Sequence, residues 1–138
     1  MRTFSVRAYG VLRDGDKVLL TLSRFGDRTF VNFPGGGVEI EEGPGDGLLR
    51  EFREETGLVV RPARILHASQ KAHLSTQAPI QIVSLYWLVE RVSGDLRLTG
   101  NGDDVLELFW SPVNALPLDR MFPADLEFCA LLPGLLAP

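Results

Sequence analysis

The chain has 138 residues, 45% hydrophobic and 23% charged, with 18 acids against 14 bases and a formal charge of −4. That is enough apolar material for one core and too little for two, so a single domain over residues 1–138 is expected. One cysteine, Cys129, excludes an intrachain disulfide, and with two histidines a zinc site of cysteines or histidines is disfavoured. No apolar run approaches a membrane span, and the first residues carry no signal-peptide core. The arginines are dispersed, with no basic groove for a DNA or RNA duplex. The expectation is a cytoplasmic protein without membrane or duplex partners.

In chain order, residues 3–12 and 17–22 read as strands of a hairpin around Asp14-Gly15. Residues 25–33 form a looser extended stretch. Pro34-Gly35-Gly36-Gly37 is expected to break regular structure, with the glycines permitting a close backbone approach. Val38 to Ile40 reads as a short strand. A helix should then begin between Pro44 and Gly47, since Pro44 suits a first helical position, Asp46 the positive dipole end and Gly57 the C′ position. Residues 59–68 read as a strand at an edge or with an irregular start because of Pro62. Residues 81–92 carry the strongest strand signal, 96–98 a return, 105–110 another strand, and 122–132 a closing helix that places Cys129 as a buried apolar side chain. Strands with a central and a terminal helix predict a layered α/β domain.

The acidity is local. Between Glu39 and Glu55 lie seven acids and two arginines, and the rest of the chain sums to +1. At about 100° per residue, Glu51, Glu54 and Glu55 fall within one arc of roughly 100° on the helix. Leu48, Leu49 and Phe52 form the neighbouring apolar stripe, and Arg50 and Arg53 occupy the remaining side. Like charges on one face repel by a few tenths of a kcal/mol per pair, and burial beside Phe52 makes this worse. A hard divalent cation with oxygen ligands resolves the conflict, although a solvated acidic face is the ordinary alternative. Arg50, four residues before Glu54, can pair with it.

Gly36, Glu42, Arg50-Glu51, Phe52, Glu54-Glu55, Gly57 and Leu58, at these spacings, resemble a complete Nudix box over residues 36–58. The resemblance implies a mixed β-sheet sandwiched between α-helices, with the box as loop, helix and loop. It implies a MutT-like pyrophosphohydrolase that uses Mg2+ or Mn2+ to cleave a diphosphate linkage in a nucleoside diphosphate joined to another group. The substrate would be a small molecule such as a nucleoside triphosphate or ADP-ribose. By resemblance Glu51, Glu54 and Glu55 bind metal, Gly36 and Gly37 bring a backbone carbonyl near it, and Glu42 and Arg50 support the loop and helix. Two positions depart from the family pattern: Glu41 stands where glycine is usual, and Gly47 where alanine is common.

The general base is assigned first to Glu54, with Glu51 or a residue of a later loop as alternatives. Glu107 is a further candidate for metal or base. Lys71, His67 and His73 follow a strand as candidate substrate contacts. Phe33, with Phe30 and Trp110, is core or pocket wall, or stacks on a purine. A non-catalytic nucleotide or phosphometabolite binding module on the same fold is the alternative function. A homodimer is a further expectation, with residues 79–92 as an exposed edge.

Overall fold

Successive residues of a strand point to opposite faces, and in this protein the two faces receive different helices. The computed structural model describes residues 3–75 and 78–138. Its elements are β1 (Thr3–Val11), β2 (Arg13–Asp14), β3 (Lys17–Phe25), β4 (Arg28–Asn32), β5 (Gly35–Gly37), α1 (Pro44–Thr56), β6 (Leu58–Ala68), β7 (His73–Leu74), β8 (Ile80–Gly94), β9 (Val105–Pro112), a 3₁₀ turn (Leu118–Arg120) and α2 (Pro123–Leu136).

One sheet runs β5-β1-β8-β6, with β7 also on β8; β1 and β8 are parallel and the other pairs antiparallel. The other contains β2-β3-β4, with β9 also paired to β3. Along β1, Ala8 belongs to one core and Tyr9 to the other; along β3, Leu19 and Leu20 divide in the same way. The first core receives Leu48 and Phe52 from α1, and the second receives Phe128, Leu132 and Leu136 from α2. The result is the expected mixed sheet structure between helices.

Several expectations need correction. The glycine triplet does not break regular structure: it is β5, with Arg7, Ala8 and Tyr9 opposite Gly37, Gly36 and Gly35. A sheet ladder needs only backbone N–H and C=O groups, so side-chain patterning cannot reveal it. Residues 38–40 form no strand, because after the Val38 amide bonds to Val6 the chain turns. Residues 96–98 form no strand either, since the Arg97 N–H is taken by the Thr56 carbonyl at the end of α1. Residues 79–92 are largely not an exposed edge, because β8 is paired with β1 over Ile80–Leu88 and with β6 over Leu85–Gly94, which leaves its end past Leu88 paired on one side alone. Leu49 is 37% exposed rather than part of the buried stripe. Finally, α2 continues through Pro133 to Leu136, where Leu132 and Leu136 hold it to its core. Among the described residues, no helix is long and apolar enough to cross a membrane.

Candidate active site

α1 starts with Pro44 in its first turn, where a missing N–H costs nothing, and Asp46 accepts a hydrogen bond from the Gly43 amide at 2.9 Å. It ends on Gly57, whose φ of 85° and N–H to the Arg53 carbonyl close the last turn. Leu48 and Phe52 are fully buried. Anchoring that stripe turns Glu51 and Glu55 towards β5 and leaves Glu54 exposed.

The glycine strand and the helix fit closely. The Gly35 N–H donates to Glu55 Oε1 at 3.0 Å. A Cβ on Gly36 would lie 2.9 Å from Glu51 Cδ, inside contact distance, so the Glu51 carboxyl occupies the space a side chain would fill. Burial raises the pKa of both carboxyls, and the neighbouring charges oppose ionisation further. Glu55 is pushed up to about 8 by burial, then by Glu51 and Asp104. Glu51 is raised by burial, then by Glu54 and Asp104, against the lowering effect of Arg50.

Arg50 reaches round to this acidic face rather than remaining on the far side of α1. Its Nε and Nη2 donate to the two Glu42 oxygens at 2.7 and 2.8 Å, its Nη1 to Glu51 at 3.1 Å and Glu54 at 3.4 Å, and its Nη2 also to the Gly37 carbonyl at 3.2 Å. The Arg50 guanidinium and the Glu39 amide hold the Glu42 carboxyl down at about 2. Glu42 and Arg50 therefore join the box loop to the helix. Gly47 packs beneath them, where a Cβ would lie 3.2 Å from Val38 Cγ2 and 3.3 Å from Glu42 Oε1.

Across the open cleft from α1 lie Asp103 and Asp104, with Arg53 and Arg97 at the rim. The Asn101 side chain shapes their loop, accepting from the Asp103 and Val105 amides and donating to Asp104 at 2.9 Å. The Arg24 N–H holds the Asp104 carbonyl at 2.8 Å. In the sequence these acids stand only as two adjacent aspartates just before the strand expected at 105–110.

The other candidates lie elsewhere. Glu107 is opposite Leu22 and two residues before Phe109, both of which pack on the α2 core, so it sits on the face away from α1. His67 and His73 face Glu127 of α2, with His73 Nε2 3.2 Å and His67 Nε2 3.7 Å from its carboxylate. Lys71 is exposed in the segment between them. Phe33 is 1% exposed inside the α2 core, edge-on to Tyr86 and Phe128. Phe30 stacks on Phe122, and Trp110 packs against the α1 core. Cys129 is buried, as expected.

The donor chemistry of the cleft suits a hard divalent cation: oxygen atoms only, excess negative charge, and two carboxyls whose ionisation is opposed by burial. Among the described residues, no group of three or more histidine, cysteine or acidic side chains is placed so as to hold a metal ion.

A box helix against a glycine strand, in a mixed sheet between helices, is the arrangement that the resemblance to the Nudix family implies. The NUDIX domain family profile matches residues 1–132, and the chain belongs to the Nudix family. It is 32% identical over 92 residues to the 8-oxo-dGTP diphosphatase of Escherichia coli (strain K12), covering 64% of this chain and 67% of that protein. It is 25% identical over 114 residues to the ADP-ribose pyrophosphatase of Methanocaldococcus jannaschii, covering 82% of this chain and 64% of that protein. A 54-residue match, 43% identical, to the human diphosphoinositol polyphosphate phosphohydrolase 3-alpha covers 39% of this chain and only 32% of that protein. The fold matches the E. coli ORF135 protein, with TM-score 0.81, 22% identity and coverage of 99% of this chain and 93% of that one. It also matches a MutT protein of Methanosarcina mazei Go1, with TM-score 0.79, 20% identity and coverage of 96% and 95%. Membership supports Nudix-type hydrolysis of a diphosphate-linked moiety.

Proposed function

We propose that this protein hydrolyses the diphosphate linkage of a nucleoside diphosphate derivative, with Mg2+ or Mn2+ held by Glu51, Glu54 and Glu55 and a backbone carbonyl of the Gly36-Gly37 segment. The observation that carries this reading is the wedge of Glu51 and Glu55 against the glycine strand, with Glu54 beside them on α1 and Asp104 across the open cleft. When bound, a divalent cation neutralises the diphosphate and lowers the pKa of water in its shell.

The chain's own residues do the rest. Arg50 fixes Glu51 and Glu42 and carries the helix's acidic face towards β5. Gly36 is filled by the Glu51 carboxyl, whereas at Gly37 a Cβ would meet nothing within 4 Å, and that space can admit phosphate oxygens. Glu54 is the exposed carboxylate of the set, held only at 3.4 Å by Arg50; it is therefore free to take a proton from the attacking water. Asp104 is the alternative base from a later loop.

The test is a panel of nucleoside triphosphates including oxidised ones, ADP-ribose, nucleotide sugars and dinucleoside polyphosphates, assayed with Mg2+ and with Mn2+ and resolved by chromatography. Turnover of at least one substrate is expected. Glu54→Gln should fold normally and lose about 10²- to 10⁴-fold in kcat, the range general acid–base catalysis supplies. Binding without turnover across the panel would identify a non-catalytic module instead.

A further inference from the structure

An α-helix leaves its last four carbonyls without partners inside the helix. In α1 these belong to residues 53–56, the turn that carries Glu54 and Glu55. The Arg53 carbonyl accepts from the Gly57 N–H at 2.9 Å. Arg97 takes two of the others: its Nη2 donates to the Glu54 carbonyl and its own N–H to the Thr56 carbonyl, each at 3.0 Å. The approach is tight. A Cβ on Gly57 would collide with the Asp95 carbonyl and lie 3.4 Å from Arg97 Cγ and Nε.

The same residue leads into the opposite wall of the cleft. The Arg97 carbonyl accepts from the Gly100 N–H at 3.1 Å, and the Leu98 carbonyl from the Leu108 N–H at 2.9 Å. Asn101 follows at once; its N–H bonds the Val105 carbonyl, and its side chain shapes the loop of Asp103 and Asp104. Arg97 thus joins the Glu54–Glu55 turn to the base of the aspartate loop, and its side chain lines the cleft between them.

Charge alone gives no reason for a guanidinium there. The cleft gathers five acids, yet among the described residues Arg97 forms no ion pair with any of them, and its side-chain hydrogen bond goes to a backbone carbonyl. Arg53 supplies the comparison. It lies in the same turn, lines the same cleft and is exposed, and its side chain makes no hydrogen bond or ion pair among the described residues. Arg53 brings charge only, whereas Arg97 brings charge and a fixed donor. Since no carboxyls are grouped to hold an ion beforehand, they must turn towards one. What can be set in advance is the backbone from which they turn.

We propose that Arg97 is a positioning residue of the cleft: its guanidinium, bound to the Glu54 carbonyl, fixes the Glu54–Glu55 turn opposite Asp103 and Asp104 and so prepares the cleft for a divalent cation. The assignment rests on the metal-dependent reading of the cleft. It places at residue 97, outside the box, a determinant of cation affinity that touches neither ion nor substrate.

The probe is Mn2+ alone, titrated into the full chain without substrate and followed by electron paramagnetic resonance of the free ion. Loss of positive charge by itself tightens a cation, whereas loss of the strut weakens it, so the two roles differ in sign. Arg97→Met should weaken Mn2+ by about 10- to 100-fold, the usual effect of removing a group that orients metal ligands. Arg53→Met should tighten it by about 2- to 5-fold, the scale of an exposed charge pair. Arg97→Lys, which keeps a donor for the carbonyl, should recover most of the loss. The Arg97 side chain is exposed and its N–H to Thr56 survives these substitutions, so the variants should fold. Turnover lost in Arg97→Met at limiting Mn2+ should return in part at saturating Mn2+. Tighter binding in Arg97→Met, unchanged binding with a lowered urea midpoint, or no recovery by lysine each overturns the assignment while leaving the metal reading intact. An unmodified chain that binds no Mn2+ sinks both. The expected Mn2+ pattern with no turnover of any diphosphate sinks the catalytic reading alone and leaves Arg97 in its role.

Discussion

The two helix faces of this protein each bury a carboxyl group, and they treat it differently. On the α1 side, Glu55 accepts from a backbone amide of β5 and has Glu51 and Asp104 as like-charged neighbours. On the α2 side, Asp125 accepts from a phenol within an aromatic stack, with Tyr86 and Phe128 centroids 3.9 Å apart. The first arrangement accumulates charge that a cation can relieve. The second isolates one acceptor in an apolar wall. Accumulated charge suits handling phosphates, whereas the single buried acceptor, taken up by the Tyr86 hydroxyl, ties α2 to the sheet.

The largest effects expected from breaking this comparison come from the cores. Phe52 and Phe128 are both fully buried, and truncation of either to alanine should cost about 3–5 kcal/mol, readable as a shift in the urea midpoint. Their functional consequences should differ. Phe52→Ala loosens the stripe that aims Glu51 and Glu55, and should lower kcat in the molecules that remain folded. Phe128→Ala loosens the stack behind Tyr86 and Asp125, away from the acidic cleft, and should change kcat less in the molecules that remain folded. Equal kcat losses from both would mean that the two faces are not functionally separate.

A medium effect concerns pH. Burial lifts Glu55 from 4.5 to about 8, so the folded state holds a proton that the unfolded chain releases. Its stabilising contribution is therefore complete below about pH 4.5 and is lost as pH rises through about 8. Asp125, also raised by burial, acts in the same direction. Glu42 has the opposite sign: held at about 2, it stabilises above 4.5 and loses this as pH falls towards 2. In metal-free buffer the urea midpoint should fall between about pH 4.5 and 8 and level off above that, and Glu55→Gln should flatten most of that fall. A slope unchanged by this substitution would show that the α1 side does not dominate the alkaline loss.

How much of this was readable differs between the two faces for physical reasons. α1 was legible because Pro44, Asp46 and Gly57 mark its ends and a 3.6-residue period sets Glu51 beside Glu54 and Glu55. The reach of Arg50 was not, since a helical wheel places its Cβ on the far side and says nothing about where a long side chain bends. Glu107 was misplaced by a β-bulge. The register shift between Leu22 and Ser23 puts Val105 on the α1 face and Glu107 on the other, although the two are two residues apart. The parallel pairing of β8 with β1 joins segments far apart in sequence, and leaves no local sign that residues 79–92 are interior. The meeting of Arg7, Phe25 and Asp125 near the start of α2 was invisible for the same reason, because they come together only through tertiary packing.

The smallest expected effect follows from a departure in the box. Glu41 has φ of 74°, and is the one non-glycine residue with positive φ recorded among the described residues. An L-residue in this left-handed region is disfavoured by about 1–2 kcal/mol, whereas glycine enters it freely at the expense of a more flexible unfolded chain. Glu41→Gly should therefore stabilise the protein by about 0.5–1 kcal/mol net, read from the urea midpoint. The gain comes from the backbone, because Glu41 makes no hydrogen bond or ion pair among the described residues. Glu41→Ala separates the two contributions: it removes the charge but keeps the Cβ, and should recover little of the gain. If alanine matched glycine, repulsion within the acidic loop would be the source of the strain, and the stability of the α1 side would be set by its charge rather than by its turn.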